Sequence, residues 1–260
     1  FKKAVALKPD YAESLFNLGN VSQKRGRIEE AEATYKSALA LKPDFTEVHN
    51  ELGNMLKSAG RLDECVGSYE RAIALRRDFL EAHNNLGNAL HDLGRLEEAE
   101  VCFRRALEFR PSNAEVLNNL GTTLMGRGKL DEAETCFRQA IIHEPNFAEA
   151  FNNLGATLEE LGQLTEAESS YKAAIDLMPA YAKAQTNLGN TLRSLGKLEE
   201  AKASYSQAIA LQPDCTEAYH ALSAIKKFDA KDREVLQMRD LHQNNSLSEE
   251  HRCQICFALA

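Results

Sequence analysis

The residues of this chain with the clearest capacity for chemistry are carboxamides. Asparagine pairs stand at Asn84-Asn85, Asn118-Asn119 and Asn152-Asn153, each just before Leu-Gly. A side-chain amide offers an acceptor oxygen and two donor hydrogens, the complement of a peptide backbone. A column of amides can therefore hold an extended chain while reading little of its sequence. The other reactive side chains form no catalytic set. There is no phosphate-cradling GxxxxGK[ST] loop and no His-rich metal motif, and the seven histidines are scattered. Cys253-x-x-Cys256 is a lone pair; His251 and Cys215 could be drafted beside it, but the spacing does not require zinc. Cys102 and Cys136 stand where Thr34, Ser68, Ser170 and Ser204 stand elsewhere, and they read as small buried thiols, not a disulfide. The sequence predicts no catalytic residue, no metal and no cofactor.

The elements that position the amides follow from a period. Leu-Gly recurs at 18–19, 52–53, 86–87, 120–121, 154–155 and 188–189, in steps of 34 residues. Pro9, Pro43, Pro111, Pro145, Pro179 and Pro213 keep the same step, with Arg77 at the vacant place. So do Gly26, Gly60, Gly94, Gly128, Gly162 and Gly196. Counting each unit from Ala12, small residues occupy positions 8, 20 and 27. Position 24 is a ring: Tyr35, Tyr69, Phe103, Phe137, Tyr171 and Tyr205. Small residues let two helices approach, and the ring fills the space between them. Each unit reads as helix A, a glycine turn, helix B and a link. This pattern resembles the tetratricopeptide repeat family over about residues 1–228. Position 4, often Trp in that family, is here Leu15, His49, His83, Leu117, Phe151, Gln185 and Tyr219.

The resemblance implies an all-α fold, a right-handed α-solenoid of antiparallel helix pairs with helices A on the concave side. Six full units are expected at 12–45, 46–79, 80–113, 114–147, 148–181 and 182–215, with a degenerate start at 216. Residues 1–11 match the end of an earlier unit, and the chain reads as a piece of something longer. Residues 229–260 read as a helical cap or a linker to a further domain. In that stretch Asp229 is expected to cap a helix running to about His242. "NNS" reads as a turn, and Ser246-x-x-Glu249 as the capping box of a last helix.

Capping accounts for another regular series. Asp10, Asp44, Asp78, Ser112, Asn146 and Asp214 precede the A helices, and Glu13, Glu47, Glu81, Glu115, Glu149 and Glu217 follow three residues later. This is the spacing of a capping box. Acidic pairs such as Glu97-Glu98 and Glu199-Glu200 open the B helices, where the helix dipole favours them.

The amides that remain share one helix face. Position 6 carries Asn17, Asn85, Asn119, Asn153 and Asn187, with Glu51 breaking the column and Ala221 ending it. Position 9 carries Asn20, Asn54, Asn88 and Asn190. The opposite face holds Leu86, Ala89 and Leu90, so the amides point into the groove. The "NNLGNAL" ladder resembles the repeat region of protein O-GlcNAc transferases, which implies that position 6 contacts a peptide backbone. Selectivity would come from flanking groove residues that vary between units, namely Lys57, His91, Asp92, Glu159, Glu160 and Arg193. The segment "KKFDAKDREVLQMRDL…SLSEEHRCQICFALA" is similar to the stretch that joins such arrays to bacterial sulfotransferase domains. A peptide-binding scaffold is therefore expected, or alternatively the substrate-presenting part of a larger transferase.

Charge and composition narrow the partners. The formal charge of −8 argues against nucleic acid, and no apolar run reaches membrane-spanning length. A peptide or protein segment in the groove is the expected partner, with self-association through the ends or the convex face as a further route. With no signal segment visible, a cytoplasmic location is expected.

Overall fold

Six glycines set the local geometry. Gly26, Gly60, Gly94, Gly128, Gly162 and Gly196 all lie at φ between +72° and +76°, and they are the only described residues at positive φ. Left-handed backbone is costly for any side chain and nearly free for glycine. In the computed structural model, which describes residues 11–229, 232–243 and 248–259, Gly26, Gly60, Gly94, Gly162 and Gly196 each turn one helix back along its predecessor.

The described residues form fifteen helices and no strand. The A/B pairs are α1 (Tyr11–Lys24) with α2 (Ile28–Leu41), α3 (Thr46–Ser58) with α4 (Leu62–Leu75), and α5 (Leu80–Asp92) with α6 (Leu96–Phe109). Then come α7 (Ala114–Gly126) and α8 (Leu130–His143), α9 (Ala148–Glu160) with α10 (Leu164–Leu177), and α11 (Ala182–Ser194) with α12 (Leu198–Leu211). The last three are α13 (Thr216–Ser223), α14 (Arg233–Gln243) and α15 (Glu249–Leu259). Two compact units divide the chain, residues 1–129 and 130–260.

In the first unit, α1, α3, α5 and α7 touch in succession, whereas the B helices pack chiefly on the A helices beside them. The A layer is therefore the inner one. Each pair closes by a glycine set against a ring: a Cβ on Gly87 would come within 2.6 Å of Phe103 Cε1, and one on Gly53 within 2.5 Å of Tyr69 Cε1. Ala31, Ala38, Cys65, Ala72, Ala99 and Ala106 are wholly buried beside these rings.

The second unit repeats the plan, with Gly155 against Tyr171 and Gly189 against Tyr205. Its last A helix, α13, is short and ends at Ser223, which stands where the preceding A helices carry the glycine set against a ring. The antiparallel partner is replaced by α15, which packs on α13 and α14. Thr216 donates to Gln254 Oε1 at 2.6 Å, and Val235, Met238, Ile255 and Ala258 are buried.

Several capping expectations are corrected. Helices α3, α5, α9 and α13 have Phe45, Phe79, Phe147 and Cys215 at the N-cap, not Asp44, Asp78, Asn146 and Asp214, and none makes a side-chain capping bond. For α7 the cap is Asn113, whose Oδ1 accepts from Val116 N–H at 3.0 Å, not Ser112. The one residue between each expected cap and its helix moves that side chain one place too far out to cap. Asp229 N–H bonds Asp232 Oδ2 at 3.2 Å, and α14 starts at Arg233. Ser248 accepts from His251 N–H at 3.3 Å ahead of α15. Ser246, the "NNS" turn, Asp10 and Phe1–Leu7 lie outside the described residues. Cys102 and Cys136 are half-buried, Cys65 is the buried thiol, and none of the six cysteines is in a disulfide among the described residues.

Candidate functional site

The asparagine pairs join one repeat to the next. The first member, at position 5, is buried: Asn50, Asn84, Asn118 and Asn152 are 1–6% exposed. Asn50 Nδ2 donates to Glu81 and Asn84 Nδ2 to Glu115, each at 3.0 Å and each across to the following repeat. The second member reaches back. Asn85 Nδ2 donates to Asn50 Oδ1 at 3.2 Å and Asn54 Oδ1 at 3.0 Å, and Asn119 Nδ2 to Asn84 Oδ1 at 3.0 Å. In the second unit Asn187 makes the same bond to Asn152 Oδ1 at 3.0 Å, and Asn152 Nδ2 contacts Asn153 Oδ1 at 3.3 Å. A buried amide must find partners, and the neighbouring repeat supplies them. Glu81 and Glu115 thus serve as acceptors between repeats, while Glu47 pairs with Arg76 at 3.0 Å. Asn17, in the first described repeat, is exposed.

Position 9 is tied to the ring of its own repeat. The hydroxyls of Tyr35, Tyr69 and Tyr205 donate to Oδ1 of Asn20, Asn54 and Asn190 at 2.6, 2.8 and 2.8 Å. Burial pushes these phenols above their ordinary pKa, keeping them as proton donors. Asn88 is the exception. Its repeat has Phe103 at position 24, so no hydroxyl is there to meet it, and no hydrogen-bond partner reaches the half-buried Asn88 amide among the described residues. Both its donor hydrogens and its acceptor oxygen are open.

The flanking residues have mixed fates. Lys57 Nζ pairs with Asp92 Oδ2 at 3.0 Å, and His91 Nδ1 lies 4.0 Å from Asp92 Oδ1. Glu159 accepts from Tyr171 O–H at 3.2 Å, because position 9 of that repeat is Ala156. Arg193 and Glu160 are exposed. Glu51 stands in the position-6 column on α3, half-buried, and accepts from Asn54 Nδ2 at 3.3 Å. Burial, with the charge of Glu81 adding to it, holds its carboxyl above the ordinary carboxylate range against the amide bonds that lower it.

Two features lay outside the sequence reading. Polar residues at position 4 bond the carbonyl six residues upstream: His49 Nε2 to Pro43 O at 3.0 Å and His83 Nε2 to Arg77 O at 2.9 Å. Glutamates at position 21 of helix B meet the basic residue at position 16 of the next repeat. These are Glu32 with Arg61 at 2.7 Å, Glu100 with Lys129 at 3.1 Å, and Glu168 with Lys197 at 2.8 Å. Their constant spacing of 29 residues is the mark these pairs leave in the sequence. Among the described residues no three His, Cys, Asp or Glu side chains cluster to hold a metal, and no helix is long and apolar enough to cross a membrane.

Comparison with known proteins agrees with this architecture. Residues 3–225 match the family described as Cilia and flagella-associated protein 70 C-terminal domain. No curated protein matches the chain. Among solved structures, YrrB, described as a TPR protein with an unusual peptide-binding site, is 27% identical with a TM-score of 0.58, over 72% of this chain and 96% of its own. A tetratricopeptide repeat protein from Parabacteroides merdae is 18% identical with a TM-score of 0.75, over 96% and 99%. PilW, a type IV pilus biogenesis factor, is 21% identical with a TM-score of 0.74, over 83% and 100%. The last two show the fold alone.

Proposed function

Because the chain belongs to the Cilia and flagella-associated protein 70 C-terminal domain family and is a scaffold of tetratricopeptide type, we propose that it binds an extended segment of a partner protein along its A helices and performs no catalysis itself. The observation that carries this reading is the open amide of Asn88 on α5, beside the position-6 column. The peptide-binding site ascribed to YrrB and the likeness of the ladder to O-GlcNAc transferases lend it support.

The geometry sets how the ladder works. At Asn85, Asn119 and Asn187 one amide hydrogen or more is engaged between repeats, which leaves chiefly the oxygen to accept from a peptide N–H. Asn88 offers a donor and an acceptor together, as does the exposed Asn17 on α1. At roughly 0.5–1.5 kcal/mol net per bond, five or six such bonds about match the cost of ordering and docking a flexible peptide. Binding by amides alone is weak and tolerant of sequence. Lys57, Asp92, His91, Glu159 and Arg193 then grade the affinity by charge.

A peptide array probed with the wild type, with Asn88→Ala and with Asn85→Ala/Asn119→Ala/Asn153→Ala tests this. Many weak signals are expected from the wild type and few from Asn88→Ala, which removes no internal bond. Equal signals from wild type and Asn88→Ala would move the site off the A helices.

A further inference from the structure

Between α1 and α3, the inner face of the first unit holds an open cavity of about 560 Å³. Its wall is formed by Asn20, Gln23 and Lys24 from α1, Ile28 at the start of α2, and Glu51 and Ser58 from α3. Most polar groups here are already engaged. Tyr35 O–H lies 2.6 Å from Asn20 Oδ1 and 2.8 Å from Gln23 Oε1, and Ser58 Oγ donates to Asn54 O at 2.9 Å. The Glu51 carboxylate is different. It receives a long amide bond from Asn54 and pairs with no cation among the described residues. Lys24 lines the same cavity but is exposed and does not close on it.

Elsewhere in the first unit, half-buried or buried carboxylates on the helix faces are neutralised. Glu32 has Arg61 and Lys36, and Glu100 has Arg104, Arg127 and Lys129. Glu51 instead stands where four of the six full repeats place a further position-6 asparagine beyond Asn17, and its neighbour across the repeat is another acid, Glu81. A half-buried carboxylate without a cation is incompletely compensated for its lost hydration. A cation arriving from outside would complete it.

We propose that this cavity receives the side chain of a lysine or arginine on the bound peptide, with Glu51 as its counter-ion and the amide oxygens of the cavity wall as secondary acceptors. The proposal rests on the peptide-binding reading and adds a residue preference to it. The ammonium or guanidinium enters the cavity while the peptide backbone runs along the amides of α3 and α5. Arginine and lysine both fit by charge; arginine gains more where both carboxylate oxygens are reachable.

The test is fluorescence anisotropy with N-acetylated, C-amidated extended peptides in which one lysine is moved through an otherwise neutral sequence. On the wild type, lysine at one register is expected to tighten binding about tenfold, equivalent to about 1.4 kcal/mol, and the gain shrinks in high salt. In Glu51→Gln and in Glu51→Asn, the side chain used by other repeats, the ratio of basic to neutral affinity falls toward one. Glutamate at the same peptide register weakens binding to the wild type, a readout that needs no variant to fold. A lysine gain that survives in Glu51→Gln overturns the proposal. So does the absence of any gain at every register. If neutral peptides still bind in that case, only the cavity assignment fails; if no peptide binds, the peptide-binding reading fails with it. A free ammonium source is separated by repeating the series with unacetylated peptides lacking lysine, whose failure to gain is expected.

Discussion

Phe103→Tyr gives Asn88 the hydroxyl that its repeat lacks. Phe103 is wholly buried, with its ring edge set against the Cα of Gly87. In three other repeats a tyrosine at this place reaches the position-9 amide at 2.6–2.8 Å. The introduced oxygen should therefore arrive within bonding distance of Asn88 Oδ1. A buried hydroxyl with a partner contributes roughly 0.5–1.5 kcal/mol, whereas one without a partner costs about 1–3 kcal/mol. Phe103→Tyr is thus expected to be neutral or stabilising by about 1 kcal/mol in urea unfolding. The same change in an Asn88→Ala background is expected to destabilise by about 1–3 kcal/mol. The coupling between the two sites in that double-mutant cycle is then about 2 kcal/mol. Phe103→Tyr should also weaken peptide binding severalfold, because the Asn88 oxygen becomes occupied. A destabilisation above 1 kcal/mol with Asn88 intact, or no coupling, would refute the account of why this amide is open.

Other perturbations probe the frame around it. Asn84→Ala leaves Glu115 and Asn119 without their shared partner and is expected to cost about 1–3 kcal/mol in urea unfolding, more than Asn119→Ala. Gly87→Ala forces a Cβ against the Phe103 ring and should cost about 1–3 kcal/mol, whereas Gly94→Ala meets open space and costs about 1 kcal/mol through its positive φ. Burial would raise the Glu100 carboxyl, but Arg104, Lys129 and Arg127 outweigh it and hold it below the ordinary range. A depressed carboxyl contributes stability above its unfolded pKa, lost as pH falls through the folded value. Wild type should therefore lose more stability than Glu100→Gln on going from neutral pH to below the ordinary carboxylate range.

The period, the helix pairs and the glycine-to-ring contacts were legible because each lies inside one repeat. Gly87 and Phe103 are 16 residues apart, and their sizes are complementary on inspection. What sequence reasoning misassigned lies between repeats. The Asp44…Glu47 and Asp78…Glu81 spacings imitate a capping box, yet Phe45 and Phe79 take the N-cap place. Freed from capping, Glu81 accepts from an amide 31 residues earlier, and Asn85 donates to one 35 residues earlier. Those offsets, three short of and one beyond the 34-residue period, are the signature of neighbours stacked one repeat apart. They are readable only once the stacking is assumed.

The same logic fixes how long a ligand must be. Amides that bond between repeats would be retained with or without a ligand, so the regular asparagines carry little information about binding. The departures from regularity carry more, and two of them fall on adjacent A helices: Glu51 on α3 and the open Asn88 on α5. Packed helices lie about 8–10 Å apart, and an extended chain advances about 3.3 Å per residue. A lysine seated beside Glu51 and a backbone amide on Asn88 are therefore about three residues apart along a peptide, or up to six if the lysine side chain enters from the α1 side. Peptides trimmed from both ends around the lysine should keep most of their affinity down to about six to eight residues and lose it abruptly below about four. A gradual loss over fifteen or more residues would mean that the whole row of amides shares the binding, and that Glu51 and Asn88 hold no special place in it.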